Sequence, residues 1–232
     1  MKKNSSPNIL LVEGVNDQAF FEKLCKVLKL NVDVEIGTPL DYVPPKQGGF
    51  NSKQGVLNSL DIFLPLLEDE ESSVNKLALV LDADITGNNN GGFIGTIAQI
   101  KDKTSSFEYS ERHIYKNGGV EIPHTDHGMN PLGVWIMPNN KDDGTIEDWI
   151  KNKILDSEKP LLEHACKIVR ELPEKKFSST SIVKAEIATW LAWQNQPGRT
   201  ISYALKKNNE LLNINDPGFK NLIEWLEEFF KN

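Results

Sequence analysis

Leu77-Ala-Leu-Val-Leu81 is an unbroken apolar run that stops at Asp82, and Thr86-Gly87 with Asn88-Asn-Asn-Gly-Gly92 follows it as a loop. A run of this kind fits a strand covered on both faces, which points to a largely parallel sheet with helices on each side. Upstream, Pro7-Asn-Ile-Leu-Leu-Val12 reads as a first short buried strand. A helix follows from about Asp17 to Leu30, because Phe20, Phe21, Leu24, Val27 and Leu28 recur at three- and four-residue spacing. Val32 to Ile36 alternates as a second strand, and Gly37 to Gly49, rich in Pro and Gly, is a loop. The helix from about Ser52 to Leu67 turns Val56, Leu60, Phe63, Leu64 and Leu67 inward. Strand, helix, strand, helix, strand is the pattern of a parallel sheet with right-handed crossovers.

Phe93 to Lys103 reads as a short helix and Arg112 to Lys116 as a strand. Asn117 to Pro131 is expected as an excursion over the surface; its His124, Asp126 and His127 are metal-ligand types, but no fixed element holds them at ligand geometry. Leu132 to Pro138 is another buried strand and Asn139 to Gly144 its turn. From Thr145 onward only helices are expected, at Thr145 to Ile150, Leu161 to Leu172, Ser181 to Gln194, Thr200 to Lys207 and Asp216 to Phe230. The expectation is a Rossmann-like α/β domain over residues 1–155, its mainly parallel sheet flanked by helices. Residues 156–232 form a helical extension packed on it through Trp190, Trp193, Trp225, Phe229 and Phe230.

With 39% hydrophobic and 25% charged residues, the 232-residue chain has an ordinary globular composition, and no apolar run approaches the ~20 residues of a membrane span. Met1-Lys-Lys-Asn-Ser-Ser-Pro7 lacks a signal-type cleavage pattern, and Cys25 and Cys166 are too few for a disulfide framework, so the cytoplasm is the expected compartment. A formal charge of −7 argues against a protein that coats nucleic acid generally, because phosphate binding needs a local surplus of Lys and Arg.

Chemistry is expected where the strands end, since ligands of open parallel sheets sit beyond the strand carboxyl ends. Glu13 follows the first strand, Asp82 and Asp84 the third, and Glu147 comes shortly after the Trp135 strand. On an extended chain Asp82 and Asp84, two residues apart, project the same way. Carboxylates so close repel unless a cation or a proton sits between them, and Mg2+ or Mn2+ prefers such oxygen donors. Asp17 falls near the start of its helix, where a carboxylate is favoured by the dipole.

Val12-Glu13-Gly14-x-x-Asp17 followed by Leu81-Asp82-x-Asp84 resembles the Toprim domain shared by topoisomerases, primases and overcoming-lysogenization-defect type nucleases, over about residues 7 to 150. Thr145-x-Glu147 is similar to the Ser-x-Glu element of the nuclease branch, with Thr replacing Ser. Gly133-Val-Trp-Ile-Met-Pro138 and Lys184-Ala-x-x-x-x-Trp190-Leu-Ala192 are similar to short, stand-alone Toprim-related proteins. The resemblance implies Glu13, Asp82 and Asp84 as ligands of Mg2+ or Mn2+, with Asp17 and Glu147 completing a second site. It implies a supporting lysine for the transition state, best matched by Lys184, while in other branches Glu13 serves as general acid/base. The implied activity is phosphodiester cleavage of DNA or RNA, in phage defence or nucleic-acid processing. No Gly-x-x-x-x-Gly-Lys-Ser/Thr motif is present, so an ATPase partner would be a separate chain. Without an active-site tyrosine context, zinc ribbon or DNA-binding motif, topoisomerase and primase activities are not expected.

Two other readings use the same residues. Asp82-x-Asp84-x-Thr86 also resembles the first motif of haloacid-dehalogenase-type phosphatases, with Asp82 as nucleophile and Asp84 as general acid/base, although that motif normally lies on a first strand and leaves Glu13-Gly14 unexplained. A Toprim-like fold kept as a non-catalytic sensor or partner-binding module is the third.

Overall fold

The structure is a computed structural model that describes residues 6–37, 53–69, 71–85, 91–110, 113–206 and 211–231. The loops expected at Gly37 to Gly49 and at Thr86 to Gly92, the start of the helix at Ser52, the strand start at Arg112 and the helix end at Lys207 fall wholly or partly outside these residues.

Six described strands, β1 (Asn8–Val12), β2 (Asp33–Ile36), β3 (Lys76–Asp82), β4 (Ile114–Lys116), β5 (Gly119–Ile122) and β6 (Leu132–Met137), form one sheet in the order β2-β1-β3-β6-β5-β4. The first four in that order run parallel; β5 runs antiparallel to β6, and β4 antiparallel to β5, so only β5 is reversed. The central strands β1, β3 and β6 are the three continuous apolar runs, and successive residues go to opposite layers. Leu10, Val12, Ala78, Val80, Trp135 and Met137 face one layer, while Ile9, Leu11, Leu77, Leu79, Val134 and Ile136 face the other.

Helices α2 (Lys53–Glu68) and α3 (Gly92–Thr104) cover the second layer. The first is covered by α1 (Val15–Leu28) together with α4 (Ile146–Lys151), α5 (Lys159–Arg170), α6 (Ile182–Ala192) and α7 (Pro217–Lys231). Helix α7 lies directly on the sheet because two strand positions lack side chains. A Cβ at Gly119 would come within 2.1 Å of the Trp225 ring, and one at Gly133 within 2.8 Å of Phe229. Trp225 in turn packs on Trp135, with ring centroids 5.5 Å apart.

The α/β class and the parallel core agree with the sequence expectation, and local features differ from it. Val27 and Trp193, expected to pack inward, are exposed, Trp193 lying against His164 instead. Residues 119–122, expected in a surface excursion, are the buried strand β5 paired with β6. Four residues that include Gly119 and Glu121 are too short and too mixed for periodicity to register; Glu121 is accommodated by Lys116 at 3.0 Å. The segment after it closes on itself: buried His124 accepts the Asp126 N–H on Nδ1 at 3.0 Å and packs edge-on against Tyr109. The helix expected from Thr200 is a short 3-10 turn, Ile201–Leu205. No helix among the described residues is long and apolar enough to cross a membrane.

Candidate metal centre

The carboxyl ends of β1, β3 and β6 are adjacent, so whatever follows each strand meets at one edge. Glu13 follows β1 and reaches sideways: the Asp82 N–H donates to its Oε1 at 2.8 Å, tying the ends of β1 and β3. Asp82, the last residue of β3, accepts the Ile146 N–H on Oδ1 at 2.8 Å. Ile146 opens α4, so one of that helix's unpaired amides is spent on the carboxylate. A reciprocal cap fixes the start of α4: the Thr145 side chain takes the Asp148 N–H, and Asp148 Oδ2 takes the Thr145 N–H at 2.9 Å. One residue along, Glu147 is buried against the site, with Oε1 3.6 Å from Lys184 Nζ on α6. Asp17 sits in the first turn of α1, which Gly14 precedes as its cap.

These acids act on one another. Burial pushes Glu13 from its ordinary 4.5 up to about 7, against relief from the Asp82 N–H and Lys53, with Asp84 and Asp17 adding to the rise. Burial, then the charge of Glu147, raises Asp17 to about 6, despite Lys184. Asp82 is held well above the carboxylate range by burial and by the charges of Glu13, Asp17 and Glu147, with the Ile146 N–H as its relief. Among the described residues none of Glu13, Asp17 and Asp82 forms an ion pair.

Asp84 is placed differently from the sequence expectation. The strand ends at Asp82, and Asp84 has φ 61, so the two carboxylates do not share one pleat. Its backbone pairs instead with Gly144, through N–H···O bonds of 2.9 Å in both directions. Its Oδ2 receives Lys53 Nζ at 2.7 Å, and that ammonium also donates to Thr96 Oγ1 at 3.0 Å. Lys53 is largely buried, its side chain 12% exposed, whereas that of Lys184 is 62% exposed.

A divalent ion fits this donor set in chemistry and in charge: the oxygens are hard, their negative charge is only partly matched, and Asp82 is still reached by solvent. The hydrogen bonds engage one oxygen of Glu13 and one of Asp82, which leaves Oε2 and Oδ2 for another partner. Among the described residues no three His, Cys, Asp or Glu side chains stand at metal-ligand spacing, so binding would draw the carboxylates inward.

Two charged residues absent from the sequence expectation position the site. Lys53 opens α2, a poor place for a cation against the helix dipole unless it is paired, and that mismatch is its one signal. Glu186 on α6 is fully buried; Lys151 of α4 donates to it at 2.5 Å and Arg170 of α5 at 2.7 Å. Burial pushes Glu186 up, but these hydrogen bonds outweigh it and hold it below the ordinary value. Glu147–Lys184 and Lys151–Glu186 are thus two charge-reversed pairs across one helix contact, the inner one fixing the outer one at the site.

Over residues 7–231 the chain matches the family model described as Protein of unknown function (DUF3226). No curated protein and no solved structure matches it.

Proposed function

We propose that this chain, which belongs to the DUF3226 family, is a Mg2+- or Mn2+-dependent phosphodiesterase acting on DNA or RNA. The observation that carries the reading is the gathering of Glu13, Asp17, Asp82 and Glu147 at one sheet edge, where the other three raise the proton affinity of Asp82. The sequence resemblance to Toprim nucleases supports the same chemistry. Glu13 and Asp82 would hold the ion, each having one carboxylate oxygen that no backbone hydrogen bond engages, with Asp17 and Glu147 beside them. An ion bound there would supply charge neutralisation of a phosphodiester and acidification of a water. Lys184 stands at the exposed rim, where its ammonium offsets charge developing on phosphoryl oxygens. Asp84 holds Lys53, whose charge acts on Glu13, and so brings a second cation to the site.

The test is incubation with single- and double-stranded DNA and RNA in Mg2+ or Mn2+, with Asp82→Ala alongside. Ion-dependent cleavage that disappears in the variant is the expected outcome; intact substrates in every condition would remove the reading. A second reading, a partner-binding module without chemistry, draws on one observation: Asp84 and Glu147 are already paired with the protein's own lysines. It would stand if the chain bound no divalent ion.

A further inference from the structure

Beside the carboxylates a cleft of about 290 Å3 runs between the start of α1 and one side of α6. Glu147 and Lys184 line it, so it opens from the candidate metal centre itself. Lys184, Ala188 and Ala192 recur every four residues along α6, so the cleft extends ~12 Å along that helix. The alanines leave the channel open where longer side chains would fill it. Its wall is apolar, built from buried Ile187, Leu191 and Ile201. After α6 the chain turns at Gly198, whose φ of 76 suits glycine, and this turn sets Arg199 on the same cleft. Arg199 Nε donates to Gln196 at 3.2 Å, and among the described residues no carboxylate pairs with it.

A cation beside the metal centre, an apolar wall and a second cation suit one chemical class: a nucleoside carried between two phosphates. An unpaired base can cover the apolar wall, whereas a base inside a duplex already spends its faces on stacking. We propose that this cleft holds the nucleoside next to the phosphodiester at the carboxylates, in a single-stranded substrate, with Arg199 on the following phosphate. The proposal rests on the phosphodiesterase reading for its direction, and its own signature is binding rather than turnover.

The experiment is fluorescence anisotropy with 5′-labelled ten-nucleotide oligo-dT and oligo-U, single-stranded or annealed to complements, in Ca2+, a hard oxygen-seeking ion. Wild-type chain is compared with Arg199→Glu, Arg199→Lys and Ala188→Trp, the last filling the cleft from an exposed helix position. The expected result is single strand bound at least tenfold more tightly than duplex. Arg199→Glu and Ala188→Trp should each lose at least tenfold at unchanged melting temperature, while Arg199→Lys keeps most of the affinity. Equal binding by wild type and both disruptive variants would overturn the cleft while leaving the phosphodiesterase reading intact, as would a preference for duplex. Cleft-dependent binding with no cleavage in Mn2+ would support the cleft and remove the hydrolytic reading. No binding of any oligonucleotide would overturn the proposal.

Discussion

Two groups of buried acid lie on opposite sides of the α4–α6 contact, and the protein treats them in opposite ways. Glu186 is fully buried and receives Lys151 and Arg170, so its charge is satisfied from within and its proton affinity falls. Glu13 and Asp82 receive one backbone N–H each, face other carboxylates, and have their proton affinity raised. A buried charge is tolerated when it is paired, and a fold that pairs one so completely has the means to pair the others. Lysines do stand near the second group, but they bind its outer members, Asp84 and Glu147. On the reading proposed above, Glu186 is structure and the Asp82 cluster a place kept for a cation that the chain does not supply.

Exchanging Asp82 for Asn tests that contrast most severely. The shape is kept and the charge removed, so ion-dependent cleavage should fall at least a hundredfold, measured on a labelled oligonucleotide. The same variant should melt higher than wild type in EDTA, because the carboxylate it removes is an unfavourable one. Glu186→Ala should do the reverse: its cations are partly exposed and can turn to solvent, so about 3 kcal/mol of stability is lost in urea unfolding. Ion binding should survive in the folded fraction. If Glu186→Ala kept full stability and Asp82→Asn gained none in EDTA, the two groups would be equivalent and the contrast would be broken.

Acidity sharpens the same comparison. Glu13, at about 7 when folded against an ordinary 4.5, keeps its proton in the native chain over a range where the unfolded chain has lost it. The native state then binds more protons, so stability without divalent ions should fall as pH rises from about 4.5 to 7, by about 2 kcal/mol given the site's partial exposure. Saturating Mg2+ should flatten that slope, since an ion favours the ionised form. Glu186, shifted downward, acts only on the acid side, where stability should be lost as pH drops through its lowered value. The smallest effect is expected from Lys184→Ala: an exposed ammonium 3.6 Å from Glu147 should change cleavage by tenfold or less and leave melting unaltered.

Much of this site is legible in residue order because strand and carboxylate are contiguous. β1, β3 and β6 are uninterrupted apolar runs, and Glu13 and Asp82 stand where those runs stop, so a parallel sheet places them at one edge without knowledge of any contact. Glu147 follows from the Thr145 cap, itself a local signal. What is not legible depends on partners distant in sequence or on a single backbone angle. The two-residue spacing of Asp82 and Asp84 suggests a shared pleat, and a φ of 61 at Asp84, locked by Gly144, cancels it. Lys53 reaches Asp84 from 31 residues upstream. Glu186 looks like an interruption of an apolar helix until Lys151 and Arg170 arrive from two others. Strand β5 hides behind its Gly and Glu, and becomes a strand because β6 offers it an edge.

The central claim, a cation site at Asp82 built by leaving charge unpaired, is tested most directly by calorimetric titration of Mn2+ into the metal-free protein. The titration is run at pH 7 in two buffers of different ionisation enthalpy. The account predicts saturable binding with net proton release, since Glu13 is partly protonated there, together with loss of binding in Asp82→Asn and retention in Glu186→Gln. Absence of saturable binding, or binding that Asp82→Asn leaves unchanged, would contradict it.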